Sequence, residues 1–302
     1  MPSLRASALL TALLLLPIVA GAQTLAGQDD SVFTWRGPLR AGALLTVRNH
    51  NGPIDVRPAS GSQVELRAEK RTRYGNFGDV AFNVGTTSNG DISICSVFRG
   101  NDPCDEDRRR WNSDDDGRRN VSVAMTVLVP RGAQVRVSTG NGAVSVERVG
   151  GEVTAATGNG RVNVVNTDGA VRVTTGNGDV VVRDVKGAVR VTTGNGRVSV
   201  STAQGPVEAR SGNGDIDVRM SAVRPSEDMT FSTGSGDVRV TLPTDYNGEL
   251  DASTGNGSIS SDFDLKIEGR MHPRRVHATI GSGGARLRLV TGNGGLELRK
   301  AQ

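Results

Sequence analysis

Between positions 135 and 218 the chain alternates apolar and polar residues in short runs, and one 18-residue unit recurs without insertion or deletion. Each unit holds a Gly-Asn-Gly turn between two alternating runs. The turns begin at Gly140, Gly158, Gly176, Gly194 and Gly212. A second glycine marks the other end of each unit, at Gly151, Gly169, Gly187 and Gly205. Two strands and two turns per repeat predict one coil of a stacked β architecture.

The alternation predicts which side chains are buried. When the units are aligned, a small apolar residue occupies every second position on both sides of the turn, as at Val171 and Val173 before it and Val180 and Val182 after it. Polar residues lie between these positions, with Val181 as an exception. A period of two gives strands with one apolar and one solvated face. We therefore expect a narrow core of β-branched residues, with glycine supplying positive φ at the corners.

Two all-β folds fit this pattern. One is a single-chain β-solenoid with coils of about 18 residues. The alternative is an antiparallel β-meander, because Asn-Gly between alternating hydrophobic runs is also a strong hairpin signal. The constant length of both turns favours the solenoid, since stacked coils keep their register only when they are equal in length. Equal coils also stack Thr on Thr and Asn on Asn, so that side chains can bond along the stack.

The first 22 residues predict a secretory signal peptide. Arg5 precedes an apolar run from Ala8 to Ala20, and Ala20-Gly21-Ala22 is typical of a cleavage site. This run is too short to span a membrane, and no later apolar stretch approaches that length. We expect an exported protein, located in the periplasm, outside the cell or at its surface.

The remaining sequence predicts one continuous domain. Residues 23–98 form N-terminal strands and the first coils, residues 99–120 form a charged loop insertion, and residues 121–300 form the regular repeats. The turn at 49–52 is a degenerate member of the repeat, so we expect the coils to begin there. Phe33 and Trp35 are expected to cover the first coil, because an open solenoid end exposes its core.

The two cysteines, Cys95 and Cys104, bracket the base of the charged insertion. In an exported protein this placement predicts a disulfide. A redox or metal site is the alternative, but the chain has no Cys-x-x-Cys spacing and no histidine near this pair.

The net charge of the chain adds little to the prediction of a partner. Lysine and arginine number 36 against 32 acidic residues, giving a net charge of +4. This mild basicity permits weak attraction to anionic polymers but does not predict a nucleic-acid partner. The position after each turn holds Ala143, Arg161, Asp179, Arg197 and Asp215. Opposite charges on neighbouring coils, about 4.8 Å apart, predict a stabilising ladder rather than a catalytic acid–base pair.

No catalytic, cofactor or metal site is predicted. The histidines, His50, His272 and His277, lack ligand spacing, and the turns lack the Lys-Ser/Thr of a phosphate loop. A Gly-x-Ser-x-Gly elbow is also missing from the sequence. Residues 112–117 resemble the start of an EF-hand, yet Val123 stands where the bidentate glutamate is needed.

Several motifs, in this order along the chain, resemble a widespread bacterial family, the exported "putative adhesin" domain of unknown function. They are the phenylalanine-containing opening strand, Leu44 to Val47 leading to Asn51 to Val56, Val127 to Pro130, the serial Thr-Gly-Asn-Gly turns, Ser235 to Val238 leading to Leu242-Pro243, and the coils from Gly281 to Leu298. The resemblance covers roughly Val32 to Arg299. It implies a β-solenoid and an adhesin-like role, and it offers no catalytic residues. The insertion at 99–120 departs from the family pattern.

The sequence therefore predicts a non-enzymatic, adhesin-like structural or binding protein of the envelope or the extracellular space. Its partner would be an envelope polymer, a glycan or a surface protein, contacted by identical turns along one edge. The candidate contact residues, expected to be exposed, are Thr139, Asn141, Thr157, Asn159, Thr175, Asn177, Thr193, Asn195 and Asn213. An open alternative is that these residues only bond to each other along the stack. Other functions that remain open are a polysaccharide-modifying β-helix enzyme and an envelope assembly or stress accessory that binds a protein.

Overall fold

The computed structural model describes residues 24–26, 30–73, 75–98, 121–202, 205–223, 227–267 and 272–301. The predicted signal peptide, the charged insertion at 99–120 and Cys104 lie outside these residues. The disulfide between Cys95 and Cys104 and the domain boundaries therefore stay predictions. None of the described residues forms a helix with the length and hydropathy of a membrane span.

Within these ranges the chain forms 26 strands and one short 3-10 helix at Phe77–Asp79. The N-terminal strands are β1 Thr24–Ala26, β2 Val32–Pro38, β3 Leu44–Asn51, β4 Ile54–Pro58, β5 Gln63–Thr72, β6 Val80–Thr86, β7 Ile92–Phe98 and β8 Val121–Val129. The regular array comprises β9 Gln134–Asn141, β10 Val144–Glu147, β11 Val153–Asn159, β12 Val162–Thr167, β13 Val171–Asn177, β14 Val180–Val185, β15 Val189–Asn195, β16 Val198–Thr202, β17 Val207–Asn213, β18 Ile216–Met220, β19 Met229–Ser235 and β20 Val238–Leu242. The C-terminal strands are β21 Gly248–Asn256, β22 Ile259–Ser261, β23 Leu265–Ile267, β24 Arg275–Ile280, β25 Arg286–Asn293 and β26 Leu296–Lys300.

The strands form two sheets that share one core. The first has 14 strands in the order β1-β6-β7-β3-β9-β11-β13-β15-β17-β19-β25-β21-β24-β23, and the second has 12 in the order β2-β5-β8-β4-β10-β12-β14-β16-β18-β20-β26-β22. From β9 to β18 each strand pairs in parallel with the strand one coil later, as in Val171 opposite Val189 and Val180 opposite Val198. Consecutive strands of a coil lie in different sheets, so the predicted β-solenoid is confirmed and the antiparallel meander is wrong.

The core consists of the residues that the alternation predicts to be buried. Val171, Val173, Val180 and Val182 are at most 2% exposed, while the residues between them face outward. Most buried residues of both sheets form one hydrophobic cluster, which extends from Phe33 near one end to Ile280 near the other, and Ala81, Cys95 and Val97 form a small second cluster. A narrow core of valines suffices because two parallel sheets approach closely through small β-branched side chains.

At the N-terminal end the coils are stacked out of chain order. The coil made by β3 and β4 lies between β9–β10 on one side and the later coil β7–β8 on the other. The expectation that the stack begins with the coil at 44–58 is therefore wrong, although its turn does align with the others, Asn51 lying opposite Asn141. Antiparallel strands then cover the outer coil: β6 pairs with β7, and β5 pairs with β8. Phe33 is buried and stacks on Phe82, with ring centroids 4.5 Å apart, so it covers the end formed by β7–β8.

The C-terminal end has the same kind of inversion. The last coil in the chain, β25–β26, lies between β19–β20 and the earlier coil β21–β22. Strand β24 then pairs antiparallel with β21, and β23 pairs antiparallel with β24. The final coil of the sequence is thus the second coil of the stack from this end.

Candidate functional site: the repeated turn edge

The turn edge consists of the Thr-Gly-Asn-Gly turns, which stack in register along one side of the solenoid. Their asparagines, opposite one another in successive coils, are Asn141, Asn159, Asn177, Asn195 and Asn213. The parallel pairing and the constant 18-residue spacing place each turn directly above the previous one. The edge is therefore a repeating polar surface that runs along the solenoid axis.

The asparagines form a directional hydrogen-bond ladder. The Nδ2 of Asn159 donates to Oδ1 of Asn141 at 2.8 Å, and the same bond joins each following pair up to Asn213 at 2.7–2.8 Å. All five side chains are exposed. A carboxamide has two N–H donors and two acceptor lone pairs, so an interior member such as Asn177 uses one of each in the ladder. One donor and one acceptor site per interior amide remain for solvent or a ligand.

The threonines of the turn edge are buried, so the expectation that they are exposed is wrong. Thr139, Thr157, Thr175 and Thr193 are 2–5% exposed. Each hydroxyl donates to the carbonyl oxygen of the second turn glycine in the neighbouring coil, at 2.9–3.3 Å; Thr157 donates to Gly142 and Thr175 to Gly160. These threonines satisfy backbone acceptors at the corner, where no strand pairing is available. They stabilise the edge from inside and contribute no outer contact surface.

The second glycine of each turn is required by both conformation and space. Gly178 has φ +153°, and a Cβ there would lie 2.0 Å from the carbonyl oxygen of Gly160. At the opposite corner the prediction that glycine supplies positive φ is confirmed only at Gly205, with φ +99°; in the other units it is wrong, because Arg148, Asn166 and Asp184 have φ of 53–56°. Gly151 and its equivalents are needed there because a Cβ would collide with a backbone carbonyl of the preceding coil.

The charges that follow the turns pair as predicted. Arg161 bonds to Asp179, and Arg197 bonds to Asp215, each with 3.3 Å between Nη2 and Oδ2. The carboxylates have a second role that sequence reasoning missed. Asp179 accepts the backbone N–H of Arg197 at 3.0 Å, and Asp215 accepts that of Asp237 at 3.0 Å. The signal for this role was an acidic residue directly after the turn, where the next coil presents an N–H.

The groups with shifted pKa lie away from the turn edge. Arg239 donates to Glu297 at 2.6 Å, and this hydrogen bond lowers the pKa of Glu297 while raising that of Arg239. Burial, together with the charge of Asp228, raises the pKa of Tyr246 to about 12. Within the described ranges no group of three or more His, Cys, Asp or Glu side chains is placed to hold a metal ion.

The sequence model of the family described as Toastrack DUF4097 matches residues 44–299. The match covers nearly the whole range over which the chain resembles the exported "putative adhesin" family, and it confirms that resemblance. Among curated proteins, none matches the chain.

Three solved structures are similar to this chain. A "putative adhesin" from Bacteroides fragilis NCTC 9343 is 11% identical, with coverage of 91% of this chain and 99% of that chain and a TM-score of 0.44. A "putative adhesin" from Parabacteroides merdae ATCC 43184 is 10% identical, with coverage of 90% and 97% and a TM-score of 0.27. A "putative cell adhesion protein" from Clostridium sporogenes ATCC 15579 is 9% identical, with coverage of 89% and 100% and a TM-score of 0.25. These TM-scores are too low to support an argument about function.

Proposed function

The chain belongs to the Toastrack family DUF4097, and from that premise we propose that it is an exported, non-enzymatic, adhesin-like protein. Its turn edge binds an envelope polymer, a glycan or a surface protein. The observation that carries the proposal is the exposed asparagine ladder, whose interior members keep one amide donor and one acceptor each. Export rests on the signal-peptide pattern of residues 1–22.

The spacing of the ladder suits a polymeric ligand. Successive coils present the same amide at intervals of about 4.8 Å, the distance between paired strands. A ligand with its own repeat can bond to several amides at once, and the second contact forms at a high effective concentration after the first. Several contacts that are weak singly can therefore give a high overall affinity along a rigid edge.

The charges beside the turns support a binding role over catalysis. Arg161, Asp179, Arg197 and Asp215 are paired with one another or with backbone N–H groups. A glycoside hydrolase needs one carboxylic acid and one carboxylate facing a substrate in defined geometry. The polar groups at this edge are engaged in holding the stack together, and the spare hydrogen-bonding capacity belongs to the asparagines.

The test is co-sedimentation of the mature protein with purified peptidoglycan and with isolated cell envelopes, at low and high salt. We expect binding that survives high salt and that falls about tenfold in the double variant Asn177→Ala/Asn195→Ala. Asn163→Ala is the matched control, because Asn163 faces outward from β12, away from the turns. A thermal melt of each variant separates lost contact from lost folding.

Two outcomes would overturn the proposal. A folded double variant that sediments as well as the parent protein would show that the asparagines bond only to each other and do not contact a ligand. Release of reducing ends from the polysaccharide would instead establish the enzymatic alternative.

A further inference from the structure

The outward face of the 14-stranded sheet carries a cluster of arginines, here called the arginine face. Its members Arg136, Arg172, Arg190 and Arg210 are all exposed and lie on β9, β13, β15 and β17. Threonines lie among them: Thr154 lies opposite both Arg136 and Arg172, and Thr192 lies opposite Arg210. The face is a flat surface of guanidinium and hydroxyl groups, separate from the turn edge.

Two of these arginines are directly opposite each other. Arg172 pairs with Arg190 in the parallel ladder between β13 and β15. Like charges directly opposite in a sheet are destabilising. Beside the turns, by contrast, the charges alternate in sign from Arg161 through Asp179 and Arg197 to Asp215. Stability therefore explains that row but not the stacking of Arg172 on Arg190.

Nearby acids neutralise the face only in part. Glu208 bonds to Arg190 at 2.6 Å and to Arg210 at 2.8 Å. Glu152 precedes β11 and is exposed, and it makes no ion pair within the described part of the chain. Arg172 likewise has no ion-pair partner among the described residues. Glu208 is thus the one described acid that pairs with Arg172, Arg190 or Arg210, and Arg172 keeps all its donors for a ligand.

The opposite face of the solenoid places its arginines differently. On the 12-stranded sheet Arg239 lies between Asp217 and Glu297, at 4.0 Å and 2.6 Å. Arg219 and Arg299 each bond to one of these same carboxylates, Arg219 at 3.4 Å. Arg239 thus lies between two carboxylates, whereas Arg172 and Arg190 lie opposite each other.

The chemistry of the arginine face selects one class of macromolecule. Residues 134–220 contain no Phe, Trp or Tyr, so the face has no platform on which nucleic-acid bases can stack. The one large hydrophobic side chain exposed in the described ranges is Ile267, on β23, so the face offers no apolar anchor for a membrane. Guanidinium groups bind sulfate, phosphate and carboxylate groups through paired hydrogen bonds, and threonine hydroxyls can bond to sugar hydroxyls.

We propose that the arginine face binds an extended anionic polysaccharide lying along the solenoid axis. Its acidic groups contact Arg136, Arg172, Arg190 and Arg210, and its hydroxyls contact the threonines between them. This surface is distinct from the turn edge, so the inference does not rest on the proposed function.

The test measures binding of two labelled probes, heparin and polygalacturonate, to the full mature protein by fluorescence anisotropy across a salt series. The face variant is Arg172→Gln/Arg190→Gln. The control is Arg183→Gln/Arg219→Gln, which removes the same charge from outward positions of the 12-stranded sheet. We expect the face variant to weaken binding of at least one probe about tenfold or more, and the control to weaken it less than about threefold. The slope of log Kd against log salt should become shallower by about 1–2 in the face variant only.

Thermal melts guard against a folding artefact. Removing like charges that lie opposite each other should leave the melting temperature of the face variant unchanged or raise it, so that lost binding cannot be ascribed to unfolding. Equal weakening by both variants would overturn the proposal, because attraction would then come from net charge alone. Stronger binding to oligo-dT or to phosphatidylglycerol vesicles than to either polysaccharide would also overturn it, in favour of a nucleic acid or a membrane. The choice of heparin or polygalacturonate would separate sulfate from carboxylate as the recognised group.

Discussion

From β11 to β20 each coil lies on the coil that precedes it in the chain, whereas at both ends one coil is stacked out of chain order. The two regions also differ in their cores. The largest fully buried side chains include Phe82 and Met125 near one end and Leu287 and Leu289 near the other, and none comes from residues 134–213. The core of residues 134–213 is filled by Val and Ala of nearly uniform size, whereas β19, which pairs with β25, already carries Phe231.

This difference shows two ways of specifying which coil lies next to which. In the middle, consecutive coils are joined by short corners, so a uniform core and identical turns are sufficient. At the ends the neighbours are distant in sequence, and a uniform core would fit any coil equally well. Larger side chains of distinct shape give these coils particular partners, because close packing discriminates between shapes.

The largest effect should come from blocking the close approach of coils in the middle. Gly178→Ala places a methyl group 2.0 Å from the Gly160 carbonyl oxygen at φ +153°. We expect the free energy of unfolding to fall by about 4 kcal/mol or more, from steric overlap and backbone strain together. Chemical denaturation measures this. The control is Gly61→Ala, where a Cβ meets no atom within 4 Å, and its effect should stay within about 0.5 kcal/mol. Similar losses at both sites would contradict the close stacking of the turns.

A core truncation should distinguish the C-terminal end from the middle. Leu289 is 1% exposed and lies opposite Phe231 on one side and Ala252 on the other. We expect Leu289→Ala to cost about 3 kcal/mol. Hydrogen exchange should show early loss of protection in β21 and β24 while β11 to β15 stay protected, because the outer coil docks only on β25–β26.

The matched variant for this comparison is Val173→Ala, in the middle of the array. It should not release β21 and β24 ahead of the other strands. Uniform loss of protection after Leu289→Ala would contradict this expectation, because the ends and the middle would then unfold as one unit.

Extending the asparagine ladder across the boundary between the two regions should stabilise the protein. Ser235 lies opposite Asn213 and Asn293, so it interrupts the ladder between the regular coils and the inserted one. Ser235→Asn should join the two segments and raise the free energy of unfolding by about 0.5–1 kcal/mol. Asn177→Ala removes two ladder bonds and should lower it by about 1 kcal/mol. A ladder without energetic value would leave the melting temperature unchanged in both variants.

The smallest effect should come from the charges beside the turns. Arg197→Asp removes the bond to Asp215 and places three acids in a row. Both side chains are largely exposed, 68% and 46%, so we expect a loss of only about 0.5–1 kcal/mol at low salt and almost none at 1 M salt. Arg183→Asp, at an exposed position with no ion pair within the described residues, is the control and should have less effect. A loss that does not depend on salt would argue against a Coulombic origin.

The 18-residue period was enough to predict the coil, the asparagine ladder and the paired charges. Each of these features joins residues that occupy the same position in successive repeats of the same length. The buried threonines could also have been predicted. Thr139 has the same parity as Val135 and Val137, so the alternation already places it on the inner face. The polar Gly-Asn-Gly that follows makes the threonine look like part of the turn, although the alternation of the strand extends to it.

The order of the terminal coils was not predictable from the pattern. A coil such as 286–298 has the alternation of every other coil, and nothing local in it specifies a neighbour. The information lies in pairs of large residues far apart in sequence, such as Phe231 with Leu289. The positive φ of Arg148 was equally hidden, whereas Asn166 and Asp184 belong to the residue types that most often adopt that conformation outside glycine.

Because β25–β26 is inserted between two earlier coils, the order in which these residues leave the ribosome differs from the order in which their strands can pair. Residues 248–261 emerge before residues 286–298, yet their parallel partners are those later residues. Until β25 and β26 arrive, β19–β20 and β21–β22 each have an unfilled edge and an uncovered row of core side chains. Such species are prone to wrong pairing. This end of the solenoid is therefore completed only after residues 286–298 have emerged, which makes the last stage of chain emergence the one most in need of protection.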